Sequence, residues 1–128
     1  MSYLLDTHTL VWWLTGDQQL SREVRSEIES QGPNCFVSVA SAYEMGIKVQ
    51  NGKMEFARNI WNNLSAIVES NGFQILPVSL EHCLLAPKLP TNHRDPFDRL
   101  LAAQSIVENM PIMTIDQRIA DLGANIIW

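Results

Sequence analysis

Residues 3–14, YLLDTHTLVWWL, place an acid directly between two apolar segments. Residues 3–5 have the length and composition of a short buried strand, and Thr7 to Leu14 is predicted to be a helix that ends near Gly16. Asp6 therefore follows the end of a predicted strand, where a buried carboxylate is costly unless a partner balances its charge. The structural alternative is that Asp6 caps the helix beginning at Thr7.

The same alternation of short apolar runs and helix-like segments continues along the chain. The further predicted strands are 35–37, 73–78, 112–114 and 125–128. The further predicted helices are 21–30, a helix from Ser38 or Ser41 to about Gln50, 60–70, 80–86, 96–109 and 117–122. This order predicts βαβ units and a parallel sheet of about five strands with helices on both faces. The length of 128 residues predicts a single domain over residues 1–128.

Composition and charge narrow the classes of function. The net charge of −5 argues against a nucleic-acid reader that works mainly by neutralising phosphates. Cys35 and Cys83 lie far apart in apolar contexts, which predicts two reduced, buried thiols in a cytoplasmic protein. No basic segment precedes the first apolar stretch, and no apolar run is long enough to span a membrane. These patterns predict a soluble, cytoplasmic protein without membrane association.

Two more acids follow predicted strands. Glu44 matches the capping-box pattern S-x-x-E if its helix begins at Ser41, whereas a helix that begins at Ser38 leaves Glu44 projecting from the second turn. The local sequence leaves both alternatives open. Asp116 follows the strand at 112–114, and the N-cap of the next helix is its structural alternative.

Residues 93–105, HRDPFDRLLAAQS, begin with charges and continue as an apolar helix. Asp95 as N-cap, Pro96 at the first helical position and Asp98 at the third would make a well-formed helix start. Residues 100–103 are apolar on nearly all sides of one turn, so this helix is predicted to be buried on more than one face. That burial would bring Asp98 close to the end of the sheet.

The acids converge if the sheet is parallel, because parallel strands bring their carboxyl ends to one edge. The acids predicted to meet there are Asp6, Glu44, Asp98 and Asp116. Crowded carboxylates raise each other's pKa, and a hard divalent cation is the usual resolution. Mg²⁺ and Mn²⁺ prefer carboxylate and water oxygens, and such a site can activate water for phosphodiester cleavage.

Four segments of the chain resemble, in order and spacing, the PIN-domain nucleases and within them the VapC ribonuclease toxins of bacterial toxin–antitoxin pairs. The segments are YLLDTHTLVWWL, SVASAYEMGIKVQNGK, LPTNHRDPFDRLLAAQS and MTIDQRI. The resemblance covers essentially the whole chain and implies a three-layer α/β/α fold with a mostly parallel sheet. It also implies an endoribonuclease that uses Mg²⁺ or Mn²⁺ and leaves a 5′-phosphate and a 3′-hydroxyl.

The resemblance assigns roles to individual residues. It implies a core metal-binding and catalytic triad of Asp6, Glu44 and Asp98, with Asp116 as a fourth, more variable acid. Residues that would orient the acids are Thr7, Ser41 and Thr114. Residues that would contact the RNA phosphate are His93, Arg94 and Arg99, although a lone histidine beside a helix start is often incidental. Asp95 is interpreted as a helix cap first and a metal ligand second.

Trp12 and Trp13 are adjacent on a predicted helix, so they cannot both face the core. Trp12 points nearly opposite the apolar face of the helix, and Trp13 lies on its flank. They are either ordinary, partly exposed tryptophans or apolar contacts with a protein partner. The resemblance implies two protein partners, namely a VapB-like antitoxin that covers this region and a second copy of the chain in a homodimer.

Two other functions compete with the nuclease. The first is a phosphotransfer enzyme with Asp6 as nucleophile. Such an enzyme would require a second aspartate two residues after Asp6, and this position is His8. A non-catalytic PIN fold that binds RNA or protein is the second alternative. It is disfavoured because a degenerate site has no reason to keep like charges together.

Overall fold

The computed structural model of the protein describes residues 1–128 and contains one five-stranded sheet. The strands are β1 (Tyr3–Leu5), β2 (Cys35–Ser38), β3 (Gln74–Leu76), β4 (Ile112–Met113) and β5 (Ile126–Ile127). Their order is β3-β2-β1-β4-β5, and every pairing is parallel. The predicted parallel sheet is confirmed. β3 is shorter than predicted because Pro77 follows it and has no N–H to extend the ladder.

Eight α-helices connect and cover the strands. They are α1 (Thr7–Thr15), α2 (Arg22–Gln31), α3 (Val39–Gln50), α4 (Arg58–Asn62), α5 (Leu64–Ser70), α6 (Leu80–Leu85), α7 (Pro96–Glu108) and α8 (Gln117–Asp121). Short 3₁₀ turns lie at Gly32–Asn34, Glu55–Ala57 and Ala86–Lys88. The chain has no helix with both the length and the apolar character that a membrane span requires.

The single helix predicted over 60–70 is wrong, because the chain breaks at Asn63 into α4 and α5. Asn63 has φ −117° and ψ 20°, outside the helical region. Its side-chain amide donates to the carbonyl of Asn59 at 2.8 Å, which offers the backbone a local alternative to the helix.

The core has two halves, one on each face of the sheet. Leu5 and Met113 point into the half that contains residues of α1, α2, α3 and α5. Leu4 and Ile112 point into the other half, which contains residues of α7 and α8. Alternate residues of a strand face opposite sides of a sheet, so each face needs its own helical cover. The predicted three-layer α/β/α architecture is confirmed.

α7 is the helix whose burial brings an acid to the sheet edge. Its residues from Leu101 to Ser105 are all buried, so the helix is enclosed on more than one side, as its sequence predicts. By contrast, α6 lies at the surface, with His82 as its buried residue. Cys35 is buried in β2, but Cys83 on α6 is exposed, so the prediction of two buried thiols is wrong for Cys83.

Candidate active site

A cleft of about 480 Å³ opens at the carboxyl edge of the sheet. Asp6 follows β1 at the centre of the sheet, while the strands on either side of β1 lead to Glu44 and Asp116. α7 adds Asp98 from its first turn. The structure thus brings together the four acids that the sequence predicts to meet, and all four line this cleft.

Asp6 is 7% exposed, and its two carboxylate oxygens have different partners. Its Oδ1 accepts a hydrogen bond from the backbone N–H of Thr9 at 2.7 Å, so it caps α1. Its Oδ2 accepts a short hydrogen bond from the hydroxyl of Thr114. Burial raises the pKa of Asp6, and the hydrogen bonds from Thr114 and Thr9 oppose that rise.

Glu44 is 4% exposed and projects from the second turn of α3. The helix begins with Ser38 as N-cap, whose hydroxyl accepts from the N–H of Ala40, so the capping box from Ser41 does not form. The Oε1 of Glu44 accepts from the hydroxyl of Thr7 at 2.6 Å. Its Oε2 accepts from the ammonium of Lys48 at 2.8 Å. Glu44 therefore lines the cleft and does not cap its helix.

Asp95 and Asp98, both at the start of α7, make different contacts. The Oδ1 of Asp95 accepts from the N–H of Phe97 at 2.9 Å, which makes Asp95 the N-cap. Asp98 Oδ2 lies 2.7 Å from Nε2 of His93. Burial raises the pKa of Asp98, the negative charges of Asp95 and Glu44 add to the rise, and the hydrogen bond from His93 opposes it. Asp95 also lines the cleft.

Asp116 is the N-cap of α8, and Arg118 makes two contacts with its carboxylate. Nε of Arg118 lies 3.0 Å from Oδ1, and Nη2 lies 2.8 Å from Oδ2. The guanidinium holds the pKa of Asp116 below its ordinary value. The Arg118 side chain is 65% exposed, so solvent screens the pair and it adds little to stability.

The three predicted orienting residues differ in what they contact. Thr7 and Thr114 each donate a hydroxyl hydrogen bond to an acid of the cleft, to Glu44 and Asp6 respectively. Ser41 is buried, but its hydroxyl has no hydrogen-bond partner. Ser41 is also absent from the cleft wall.

The three residues predicted to contact phosphate lie in different surroundings. Arg99 donates to five backbone carbonyls of the segment that precedes α7, so its guanidinium is engaged there rather than in the cleft. Arg94 is exposed and does not line the cleft. His93 is half-buried and touches Asp98.

Residues that sequence reasoning missed also line the cleft. Lys48 lies four residues after Glu44 on one helix, a spacing at which a glutamate and a lysine are neighbours. Arg118 lies two residues after Asp116. His8 is exposed at the same wall as Trp12. The lysine spacing was a usable signal in the sequence, whereas nothing local distinguishes His8.

A family model described as the PIN domain matches residues 3–125, a range that holds every residue lining the cleft. The chain belongs to the PIN-domain family. The resemblance inferred from the four sequence segments is confirmed at this level. Among curated proteins, none matches the chain.

Solved structures share the fold of this PIN domain. It is similar to a chain of a toxin–antitoxin complex from Klebsiella pneumoniae, with a TM-score of 0.64, 16% identity, and coverage of 99% of this chain and 97% of that one. It is also similar to a chain of VapBC2 from Rickettsia felis, bound to a DNA fragment from their promoter. The TM-score is 0.67 at 17% identity, with coverage of 99% of this chain and 98% of that one. A chain of FitAcB from Neisseria gonorrhoeae has a TM-score of 0.69 at 16% identity, with coverage of 98% of this chain and 96% of that one. At these identities the similarity establishes the fold.

The donor set of the PIN-domain cleft fits a hard divalent cation. Carboxylate oxygens are the ligands that Mg²⁺ and Mn²⁺ prefer. Ligand atoms of His93, Asp98 and Asp116 lie within 4.8 Å of one another. Asp6 is buried yet takes part in none of the ion pairs of the structure. A bound cation would compensate this buried charge, for which the structure provides no ion pair.

Trp12 and Trp13 leave α1 in different directions. Trp12 lines the cleft. Trp13 donates its indole N–H to Oδ1 of Asn71 at 3.0 Å and packs near Phe73. Both side chains are half-buried. Because their neighbours differ, the two tryptophans present different surfaces to solvent.

Proposed function

We propose that this PIN domain is a metal-dependent endoribonuclease that acts as the toxin of a toxin–antitoxin pair. The observation that carries the proposal is that carboxylates from separate elements of the chain line one cleft at the carboxyl edge of the sheet. Membership of the PIN-domain family supports it. Similarity in fold to chains from a toxin–antitoxin complex and from VapBC2 is consistent with the role of toxin.

The residues proposed to hold Mg²⁺ or Mn²⁺ are Asp6, Glu44, Asp98 and Asp116. When bound, the cation supplies an activated water and stabilises the negative charge that develops on a phosphodiester during hydrolysis. The chain's own residues keep the acids in position. Thr114 holds Asp6, Thr7 holds Glu44, and His93 holds Asp98. This hydrogen bonding fixes ligand orientation before the substrate arrives.

Lys48 and Arg118 give the acidic cleft positive charge where a polyanion must enter. Lys48 extends from α3 and Arg118 from α8, and these helices follow the strands on the two sides of β1. Each cation is paired with a carboxylate of the cleft. We assign phosphate binding to this pair. His93, which touches Asp98, is a further candidate, whereas Arg94 is exposed and does not line the cleft. The guanidinium of Arg99 has its structural contacts instead.

The toxin role includes two protein partners. A VapB-like antitoxin would cover the cleft and the surface around Trp12 and Trp13, because an acidic cleft attracts a basic side chain and tryptophan is enriched at interface hot spots. The second partner is another copy of the chain in a homodimer. An RNA substrate also places the proposed activity in the cytoplasm.

The deciding experiment compares two aspartates of one motif. Antitoxin-free protein is incubated with a mixed RNA substrate and Mg²⁺ or Mn²⁺, and in parallel with EDTA. We expect metal-dependent cleavage that Asp98→Asn abolishes and Asp95→Asn largely keeps. Asn caps a helix about as well as Asp, so Asp95→Asn preserves the helix start and serves as the matched control.

Circular dichroism must show that both variants are folded. A folded wild type that cleaves no RNA with either metal would contradict the proposal. Equal loss of cleavage in the two variants would contradict the assignment of Asp98, rather than Asp95, to the site.

A further inference from the structure

Trp12 is unusual for the wall on which it lies. Twelve residues line the cleft, and two of them, Trp12 and Ile115, are hydrophobic. The other ten are polar or charged. Trp12 is half-buried, and the part of its indole that lines the cleft lies among carboxylates. An aromatic surface beside a proposed phosphodiester site points to contact with a part of the substrate that is flat and uncharged.

The indole of Trp12 is held in place by aromatic neighbours. The ring of His8 lies 5.8 Å away, centroid to centroid, with an interplanar angle of 50°. The ring of Trp128 lies 5.8 Å away at 64°, an edge contact. Trp12 also packs against the core half that α1 covers. A side chain fixed in this way loses little conformational entropy when a ligand contacts it.

The cleft offers different groups to the phosphate and to the base of a nucleotide. Lys48 and Arg118 supply positive charge for phosphate oxygens. A nucleobase is neutral, so the carboxylates of the cleft do not repel it. Unpaired bases of RNA bind proteins by stacking on aromatic side chains, including tryptophan and histidine.

We propose that Trp12 is a nucleobase-stacking residue, with His8 beside it, that holds an unpaired base next to the cleaved phosphodiester. The inference rests on the proposed ribonuclease function and adds a positioning contact to it. Stacking of one base on an aromatic side chain corresponds to roughly a 5- to 150-fold effect on binding. The contact would therefore influence which bond of an RNA enters the site.

The test uses an RNA oligonucleotide that the wild type cleaves, together with copies that each lack one base near the cleaved bond. We expect Trp12→Ala to lower kcat/KM for the intact oligonucleotide roughly 5- to 150-fold, mainly through KM, and Trp12→Phe to lose much less. For the oligonucleotide that lacks the stacked base, the wild type should fall to the level of Trp12→Ala. The variant should then lose nothing further, because both changes remove one interaction.

Trp61→Phe is the matched control. Trp61 is also half-buried and donates its indole N–H to the carbonyl of Ala42 at 3.2 Å, but it does not line this cleft. It reports the effect of shortening a tryptophan elsewhere in the fold. If Trp12→Ala does not fold, Trp12→Phe on the base-deleted set still shows whether one position depends on this ring.

Three results would overturn the inference, and they are distinguishable. If the wild type cleaves no RNA, the proposed function fails and the stacking site fails with it. If cleavage by Trp12→Ala equals that of the wild type, or its loss is the same on every base-deleted oligonucleotide, the stacking site alone is wrong. If Trp12→Ala cleaves normally but no longer binds the antitoxin, Trp12 belongs to a protein interface.

Discussion

At the scale of single residues, the acids of the cleft differ in what balances their charge. Glu44 is paired with Lys48, and Asp116 with Arg118. Asp98 touches the ring of His93. Asp6 accepts hydrogen bonds but has no cationic partner. The acid at the centre of the sheet edge is thus the one whose negative charge most needs a bound cation.

We expect Lys48→Met to tighten Mn²⁺ binding. The ammonium lies 2.8 Å from Oε2 of Glu44 and repels a divalent cation that shares this carboxylate. The Lys48 side chain is 30% exposed, so solvent weakens the repulsion, and we expect a gain in affinity of roughly tenfold. Isothermal titration calorimetry at fixed ionic strength measures it, with Lys48→Arg, which keeps the charge, as the control. Unchanged Mn²⁺ affinity in Lys48→Met would argue that Glu44 is not a ligand.

At the scale of elements, one arginine ties α7 to the segment that precedes it. Arg99 donates to the carbonyls of Ala86, Leu89, Pro90, Thr91 and His93 at distances between 2.6 and 3.4 Å. Thr91 has a positive φ of 73°, a conformation that costs free energy in a residue other than glycine. Arg99 compensates this cost by holding the Thr91 carbonyl, and it fixes the segment from which His93 reaches Asp98.

Arg99→Lys keeps the positive charge but cannot span these carbonyls, because an ammonium is a compact point charge and not a planar fork. We expect the variant to lose about 2–3 kcal/mol of unfolding free energy, the value of one or two hydrogen bonds from a charged donor. Hydrogen exchange at residues 91–93 should be faster, and RNA cleavage should fall although every acid is intact. Arg94→Lys, at an exposed neighbour, controls for the substitution itself. Equal unfolding free energies for the two variants would contradict this role.

At the scale of the whole molecule, the parallel sheet gathers negative charge at one edge at the expense of stability. Burial raises the pKa of Asp6 and of Asp98 above the ordinary value of an aspartate. A carboxyl group whose folded-state pKa is raised contributes stability below its unfolded pKa, and that contribution is lost as pH rises through the folded pKa. The contribution of Asp116 to stability has the opposite dependence on pH, because the pKa of Asp116 is lowered. Ionisation of Asp6 and Asp98, as pH rises through their raised pKa values, therefore destabilises the metal-free fold.

We expect Asp98→Asn to raise the Tm of the protein in EDTA at pH 7.5, because it removes a buried charge. The gain should shrink as pH falls toward the unfolded pKa of Asp98, where the wild type is protonated. Mn²⁺ should raise the wild-type Tm more at pH 7.5 than at pH 4.5, and should raise the Tm of Asp98→Asn less. Thermal unfolding followed by circular dichroism measures all of these. The same Mn²⁺ shift in both proteins would contradict metal binding at Asp98.

The sequence by itself determined most of the elements of this protein and the positions of its acids along them. Apolar runs and helix signals predicted five parallel strands, because these patterns act over a few residues. The N-cap positions of Asp6, Asp95 and Asp116 were foreseeable for the same reason. The S-x-x-E pattern at Ser41 was misleading as a cap, since Ser38 three residues earlier satisfies the first turn of α3.

Only the tertiary structure decided which groups meet. Thr7 lies 37 residues from Glu44, and Thr114 lies 108 residues from Asp6, yet each pair shares a buried hydrogen bond. Trp128 contacts Trp12 from the opposite end of the chain. Such contacts depend on how the layers pack, and local patterns carry no information on that. The carboxylates of the cleft could be predicted from the sequence. The ion pairs that balance them, and the aromatic contacts of Trp12, depend on the fold.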